Sequence, residues 1–145
     1  MHNKAQMNLS FGMIFSIILI IVFVVFAFYG IKTFLEMKDT AKIVKFREDL
    51  QNDVDGIWKG DGTRDTFKYY LPPKIKGICF KKWNYENLIF ETGEDFSDLT
   101  PVNITHIDIV KTTEDENPLC FNVEKGEVNI ILKKGFGEES VTVSR

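Results

Sequence analysis

The sequence contains few of the side chains from which most catalytic and metal sites are built. Its 145 residues include two histidines, His2 and His106, and two cysteines, Cys79 and Cys120. It has neither a phosphate-binding P-loop nor the glycine-rich fingerprint of a dinucleotide site. A zinc site or a nucleophile–histidine–acid triad needs more partners than these four residues supply. We therefore predict no catalytic, metal or cofactor site, expect a protein that is not an enzyme, and assign His106 a structural role within a strand.

An excess of positive charge is also missing. The formal net charge is −3, and residues 61–145 contain 11 basic and 15 acidic residues. Domains that bind nucleic acid present a basic patch or stripe. We therefore expect no nucleic-acid partner, and the charge by itself indicates no other one.

The most informative feature of the sequence is a long run without charge. Residues 5–31 carry no charged side chain, and residues 11–31 are almost entirely apolar. About 20 apolar residues suffice for a helix to cross a bilayer, because a helix satisfies its own backbone hydrogen bonds. A cleaved secretory signal has a shorter apolar core, and an 85-residue domain at 61–145 is too small to enclose such a helix. We predict a retained transmembrane helix at 11–31, preceded by a short cytoplasmic N-terminus at 1–10.

The charges that flank this run give little information about its orientation. Lys4 precedes the run, whereas Lys32 and Lys38 follow it together with Glu36 and Asp39. A pair of cysteines and an N-glycosylation sequon in the C-terminal part favour a domain outside the cytoplasm. We therefore predict a single-pass protein of the cell membrane, with the lipid bilayer as partner and residues 61–145 forming an extracytoplasmic β-domain.

The two cysteines and the sequon are the candidate sites of covalent modification. Cys79 and Cys120 each lie between aliphatic and phenylalanine neighbours in strand-like runs, and we predict a disulfide between them. Two reduced, buried cysteines are the alternative. Asn103 begins the sequon N-I-T and is the predicted glycosylation site. Asn8 begins a second match, N-L-S, which adjoins the apolar run and is attributed to chance.

Residues 32–58 are predicted to continue the helix as an amphipathic extension or stalk. Their apolar side chains recur every three or four positions, which places them on one face of a helix. We call this set the stripe: Ile43, Phe46, Leu50, Val54 and Ile57. We expect the chain's own β-domain to cover the stripe, and packing against other copies is the alternative. Gly56 and Gly60 are predicted to end the helix.

From residue 66 onward the apolar period changes to two, which is typical of strands. The predicted strands cover residues 66–71, 75–80 with a bulge at Gly77, 88–90, 102–110 with a bulge near His106, 119–123, 127–132 and 140–143. The strands at 119–123 and 127–132 flank a short glycine turn and are predicted to form a hairpin. The predicted fold is α+β: a long N-terminal helix packed on a small antiparallel sheet of six or seven strands, without a second helix.

The tripeptide Lys4-Ala5-Gln6 stands directly before the apolar run. This start resembles the precursors of archaeal type IV pilin-like proteins, which have class III signal peptides. The resemblance implies cleavage between Ala5 and Gln6, so that residues 1–5 would be a leader. An uncleaved signal anchor is the alternative reading.

Two functions are compatible with this architecture, and both describe a non-enzymatic, membrane-anchored envelope protein. The first is a pilin-like assembly subunit, which implies self-association. The second is a non-polymerising, membrane-tethered binding or accessory module with envelope protein partners. Asn8 and Ser10 stand where the family favours serine and glutamate, and this difference favours the second function.

Overall fold

The structure is a computed structural model that describes residues 11–93 and 99–145. The chain divides into two compact units, Met1–Lys38 and Asp39–Arg145. One helix, α1 (Phe11–Lys59), contributes residues to both units. The predicted cleavage between Ala5 and Gln6 and the sequon at Asn8 lie outside the described residues.

In the first unit, the apolar part of α1 is a candidate membrane span. It is long and apolar enough to cross a membrane by length and composition, and none of its residues is buried. Its large apolar side chains are exposed along its length, from Phe11 to Met37. The absence of proline lets every residue of this segment take part in the backbone hydrogen bonds of the helix.

In the second unit, the C-terminal part of α1 buries the whole stripe. Its five residues are the buried residues of the helix, and Leu50 is 0% exposed. The helix continues through Gly56 and ends at Lys59, so the predicted end at Gly60 is confirmed and the predicted end at Gly56 is wrong. The last turn is closed by the Gly60 N–H, which donates to the Ile57 carbonyl at 3.1 Å. Lys134 adds a charged donor, because its Nζ lies 2.7 Å from the Trp58 carbonyl oxygen.

After α1, the described residues of this unit form two antiparallel sheets of three strands each. One sheet has the strand order β1-β5-β6 and the other has the order β3-β2-β4. A short helix, α2, lies between β3 and β4. The elements are β1 (Thr63–Tyr70), β2 (Ile75–Trp83), β3 (Glu86–Thr92), α2 (Ile109–Thr112), β4 (Leu119–Asn122), β5 (Glu127–Lys134) and β6 (Thr142–Ser144). The predicted α+β class, with a long helix packed on antiparallel strands, is confirmed, although the strands form two sheets and not one.

The predicted hairpin between β4 and β5 is wrong, although its turn forms. Lys125 and Gly126 have positive φ angles, and Glu124 and Glu127 exchange backbone hydrogen bonds of 3.0 and 2.9 Å across them. Beyond this bridge the strands separate, since β4 pairs with β2 and β5 pairs with β1 and β6. A tight turn reverses the chain locally, but each strand pairs where its apolar face is buried.

The segment 102–110 is not the predicted strand. Val102 makes an isolated bridge to Leu88, and His106 has a φ of 64°, which interrupts extended backbone. The prediction of no second helix is also wrong, because α2 follows. Asp108 caps α2 by accepting hydrogen bonds from the amides of Val110 and Lys111 at 3.1 and 3.0 Å. This local side-chain capping overrides the strand propensity of the β-branched residues.

The core lies between the stripe and the two sheets. Phe46 contacts both sheets. The centre of its ring lies 5.4 Å from the ring centre of Tyr69 in β1 and 6.0 Å from that of Phe90 in β3, and each pair is edge to face. Gly77 lies at a register shift in β2, as predicted. A Cβ atom at this position would lie 2.7 Å from the flexible Glu91 carboxylate and 3.2 Å from the Phe121 carbonyl oxygen, so a larger residue would be crowded here.

Candidate functional site

The two cysteines form the predicted disulfide. Cys79 of β2 and Cys120 of β4 are directly opposite each other in the ladder, and their sulfur atoms are bonded. Cys79 is 3% exposed and Cys120 is half-buried. A structural disulfide is typical of an oxidising compartment.

A carboxylate lies beside this disulfide. Within residues 11–93 and 99–145, the one group of three potential metal ligands comprises Cys79, Glu91 and Cys120. Both sulfur atoms are consumed by the disulfide, however, and a metal binds thiolates. An oxygen of Glu91 is 4.0 Å from Cys120 Sγ. In this oxidised state the group offers only one carboxylate, which is not a coordination set.

His106 belongs to a polar cluster on α1 that the sequence analysis did not foresee. Its ring is stacked on Trp58, with 3.9 Å between ring centres and 8° between planes. Its Nδ1 lies 2.9 Å from Asp55 Oδ1, which also accepts a hydrogen bond of 2.8 Å from the Gln51 side-chain amide. The hydrogen bond from His106 lowers the pKa of the Asp55 carboxyl below its ordinary value. We call these four residues the latch: Gln51, Asp55, Trp58 and His106.

Hydrogen bonds to backbone groups join the latch to two loops. Gln51 Oε1 accepts from the Thr105 amide at 2.9 Å, and Trp58 Nε1 donates to the Glu139 carbonyl at 2.9 Å. The His106 carbonyl accepts from the Val141 amide at 2.8 Å. These hydrogen bonds attach the C-terminal end of α1 to segments 51 to 81 residues further along the chain. The latch therefore has the contacts of a structural element that stabilises the fold.

A groove runs along the solvent side of α1 beside residues 102–104. The groove is open to solvent and has a volume of about 500 Å³, and α1 lines it mainly with polar side chains, among them Arg47, Glu48 and Asn52. Asn103, the predicted glycosylation site, lies in this groove and is exposed. No local sequence pattern predicts the groove, because its two walls, at residues 44–52 and 102–104, are far apart in the sequence.

The turn between β2 and β3 carries an exposed aromatic pair. Tyr85 is 91% exposed, and Trp83 has about half of its surface exposed. The ammonium of Lys81 lies 5.3 Å from the centre of the Trp83 ring. Tryptophan and tyrosine are enriched among the residues that contribute most to binding at protein interfaces.

No protein-family model matches this chain, and neither a curated protein nor a solved structure matches it.

Proposed function

We propose that this chain is a non-enzymatic, single-pass membrane protein whose β-domain lies outside the cytoplasm. One observation carries the proposal: the two parts of α1 have opposite environments. The charge-free part has no buried residue, whereas the stripe belongs to the core of the β-domain. Exposed apolar surface of this extent is costly in water, and a bilayer removes that cost.

The placement outside the cytoplasm is supported by the disulfide. Bonded cysteines persist in oxidising compartments and are rare in the cytosol. The Cys79–Cys120 bond joins neighbouring strands of one small sheet. A domain of this size has a small core, so a covalent cross-link fits a protein exposed to the cell exterior.

Within this function, the first candidate role is that of a pilin-like assembly subunit. Its support is the order of a hydrophobic helix, an amphipathic extension and a β-domain, together with Lys4-Ala5-Gln6 before the helix. The stripe is occupied by the chain's own sheets. Self-association would therefore rely on the charge-free part of α1 and on the outer faces of the domain.

The second candidate role is a non-polymerising, membrane-tethered binding or accessory module. The aromatic turn favours it, because Trp83 and Tyr85 offer a compact surface for an envelope partner. Occupation of the stripe within one chain favours it as well. The two roles differ in whether the protein is found in filaments.

A protease-accessibility experiment tests the placement. An epitope tag is added after Arg145, and protease is applied to intact cells and to lysed cells. We expect loss of the tag from intact cells, while a cytoplasmic protein of the same cells stays whole. A tag that is digested only after lysis would show the opposite orientation and overturn the proposal.

Extraction of native membranes separates the two roles. Filaments containing this chain, together with a mature N-terminus at Gln6, would support the assembly subunit. A monodisperse protein that retains Met1 would support the tethered module. Intact-mass measurement and electron microscopy of the same extract give both readouts.

A further inference from the structure

We propose that Asn103 carries an N-linked glycan whose first sugars lie in the groove beside α1. The inference rests on the proposed placement of the β-domain outside the cytoplasm, where sugar transfer to asparagine takes place. Asn103 and Thr105 are both exposed, whereas Ile104 between them is 2% exposed. The acceptor amide and the hydroxyl that the sequon requires are therefore both accessible to solvent.

The backbone around the sequon is held in place by side chains from other elements. The Asn87 side chain forms two hydrogen bonds of 2.8 Å with the backbone of Ile104, one to its amide and one to its carbonyl. The Thr105 amide donates to Gln51 at 2.9 Å. These bonds keep Ile104 in the core and hold its two neighbours at the surface. Exposure of Asn103 is thus a consequence of the fold.

The groove offers a sugar both space and hydrogen-bonding partners. Its volume of about 500 Å³ lies within the range of small-molecule sites. Its α1 wall carries a guanidinium on Arg47, a carboxylate on Glu48 and an amide on Asn52. These groups donate to and accept from hydroxyl groups. A glycan on Asn103 would therefore extend over a polar surface without displacing a core side chain.

The chemistry is a substitution at the anomeric carbon of a phosphate-activated sugar carried on a lipid. The Asn103 side-chain nitrogen forms a bond to C1 of the sugar and gives up one proton. The bond between C1 and the phosphate oxygen breaks, and the lipid phosphate leaves with the electron pair. The co-reactant is this lipid-linked donor, and a transferase of the cell catalyses the step.

The test is mass spectrometry of the full chain isolated from its own cells. We expect the intact mass to exceed that of the polypeptide, and the peptide that contains Asn103 to carry the added sugar. Asn103→Gln and Thr105→Val should each abolish the modification at this site, whereas Thr105→Ser should retain it. Thr105→Val keeps the acceptor asparagine, so a loss in both variants reports the sequon itself.

Asn122→Gln is the matched control, because Asn122 is exposed in β4 and stands outside any sequon. It should leave the modified mass unchanged. An unmodified Asn103 in native protein, or sugar found on Asn8 alone, would overturn the inference. The protease assay on the same cells keeps the two proposals distinct: an accessible C-terminal tag with an unmodified Asn103 refutes the glycan and leaves the placement standing.

Discussion

At the scale of single residues, Asn87 of β3 holds the backbone of Ile104, two residues beyond the isolated bridge between Leu88 and Val102. Asn87 is 9% exposed, and its side chain makes two hydrogen bonds with the backbone of Ile104. Replacement by alanine would leave a buried amide and a buried carbonyl without partners. We expect Asn87→Ala to lower the free energy of unfolding by about 1–3 kcal/mol, measured by chemical denaturation of the full chain in detergent micelles.

The control is Asn122→Ala, which removes an exposed amide from β4. An exposed substitution of this kind changes the free energy of unfolding by about 0.5 kcal/mol or less. Equal effects of the two substitutions would contradict the assignment of a specific role to Asn87.

A second prediction at the residue scale concerns the latch and the dependence of stability on pH. The pKa of Asp55 is lowered mainly by the hydrogen bond from His106, with further contributions from Gln51 and the positive charge of Lys59. A carboxyl whose folded pKa lies below its unfolded value stabilises the fold above the unfolded pKa, here 3.8. That stabilisation is lost as the pH falls through the folded pKa. We expect wild type to melt higher than Asp55→Asn at pH 5, and the difference to shrink toward pH 2.5.

Asp115→Asn serves as the comparison for this pH series. Asp115 is exposed in the loop that follows α2, so its substitution should shift the melting temperature little at either pH. If the difference between wild type and Asp55→Asn were the same at pH 5 and pH 2.5, the carboxylate of Asp55 would not be the stabilising species.

At the scale of elements, the stripe of α1 holds the helix to both sheets. Phe46 is 2% exposed and contacts an aromatic ring from each sheet. Truncation of a buried side chain of this size removes apolar contacts and leaves a cavity. We expect Phe46→Ala or Leu50→Ala to lower the free energy of unfolding by about 2–5 kcal/mol, measured by denaturation of the full chain.

Lys45→Ala is the matched substitution one position away from Phe46. Lys45 is exposed and pairs with Asp49 at 2.9 Å, and an exposed ion pair of this kind contributes little to stability. Should Phe46→Ala leave unfolding unchanged while abolishing self-association in membranes, the stripe would face other subunits. That result would favour the assembly subunit over the tethered module.

At the scale of the whole molecule, the disulfide is a cross-link within a small domain. The bonded cysteines are 41 residues apart in the sequence. The loop that the bond closes contains β3, the sequon at Asn103 and α2. In the chain-entropy account, closing a loop of this length stabilises the fold by about 4 kcal/mol. We expect reductant to lower the denaturation midpoint of the wild type strongly.

The double variant Cys79→Ala with Cys120→Ala provides the control for reduction. Without reductant, the double variant should have a lower denaturation midpoint than the oxidised wild type. Reductant should not change that midpoint, because the variant has no disulfide to break. A wild type whose midpoint is unchanged by complete reduction, verified by alkylation of both thiols, would contradict the stabilising role of the bond.

The sequence by itself determined the features that depend on neighbouring residues. The apolar run at 11–31 and the spacing of the stripe are local patterns, and the residues of both lie on α1. Because the chain has two cysteines, a disulfide within it could join only Cys79 and Cys120. The positions of most strands were also indicated, because alternation of apolar residues is set by strand geometry over a few positions.

The tertiary structure decided which distant segments meet. The glycine turn at Gly126 indicated a hairpin, yet β4 and β5 belong to different sheets. Asp55 meets His106 across 51 residues, and Asn87 meets Ile104 across 17. The physical reason is that a turn or a propensity acts on the local backbone, whereas strand partners and polar contacts are chosen by the burial of the whole core. Exposure of Asn103 depends on the same burial, since Ile104 occupies the core beside it.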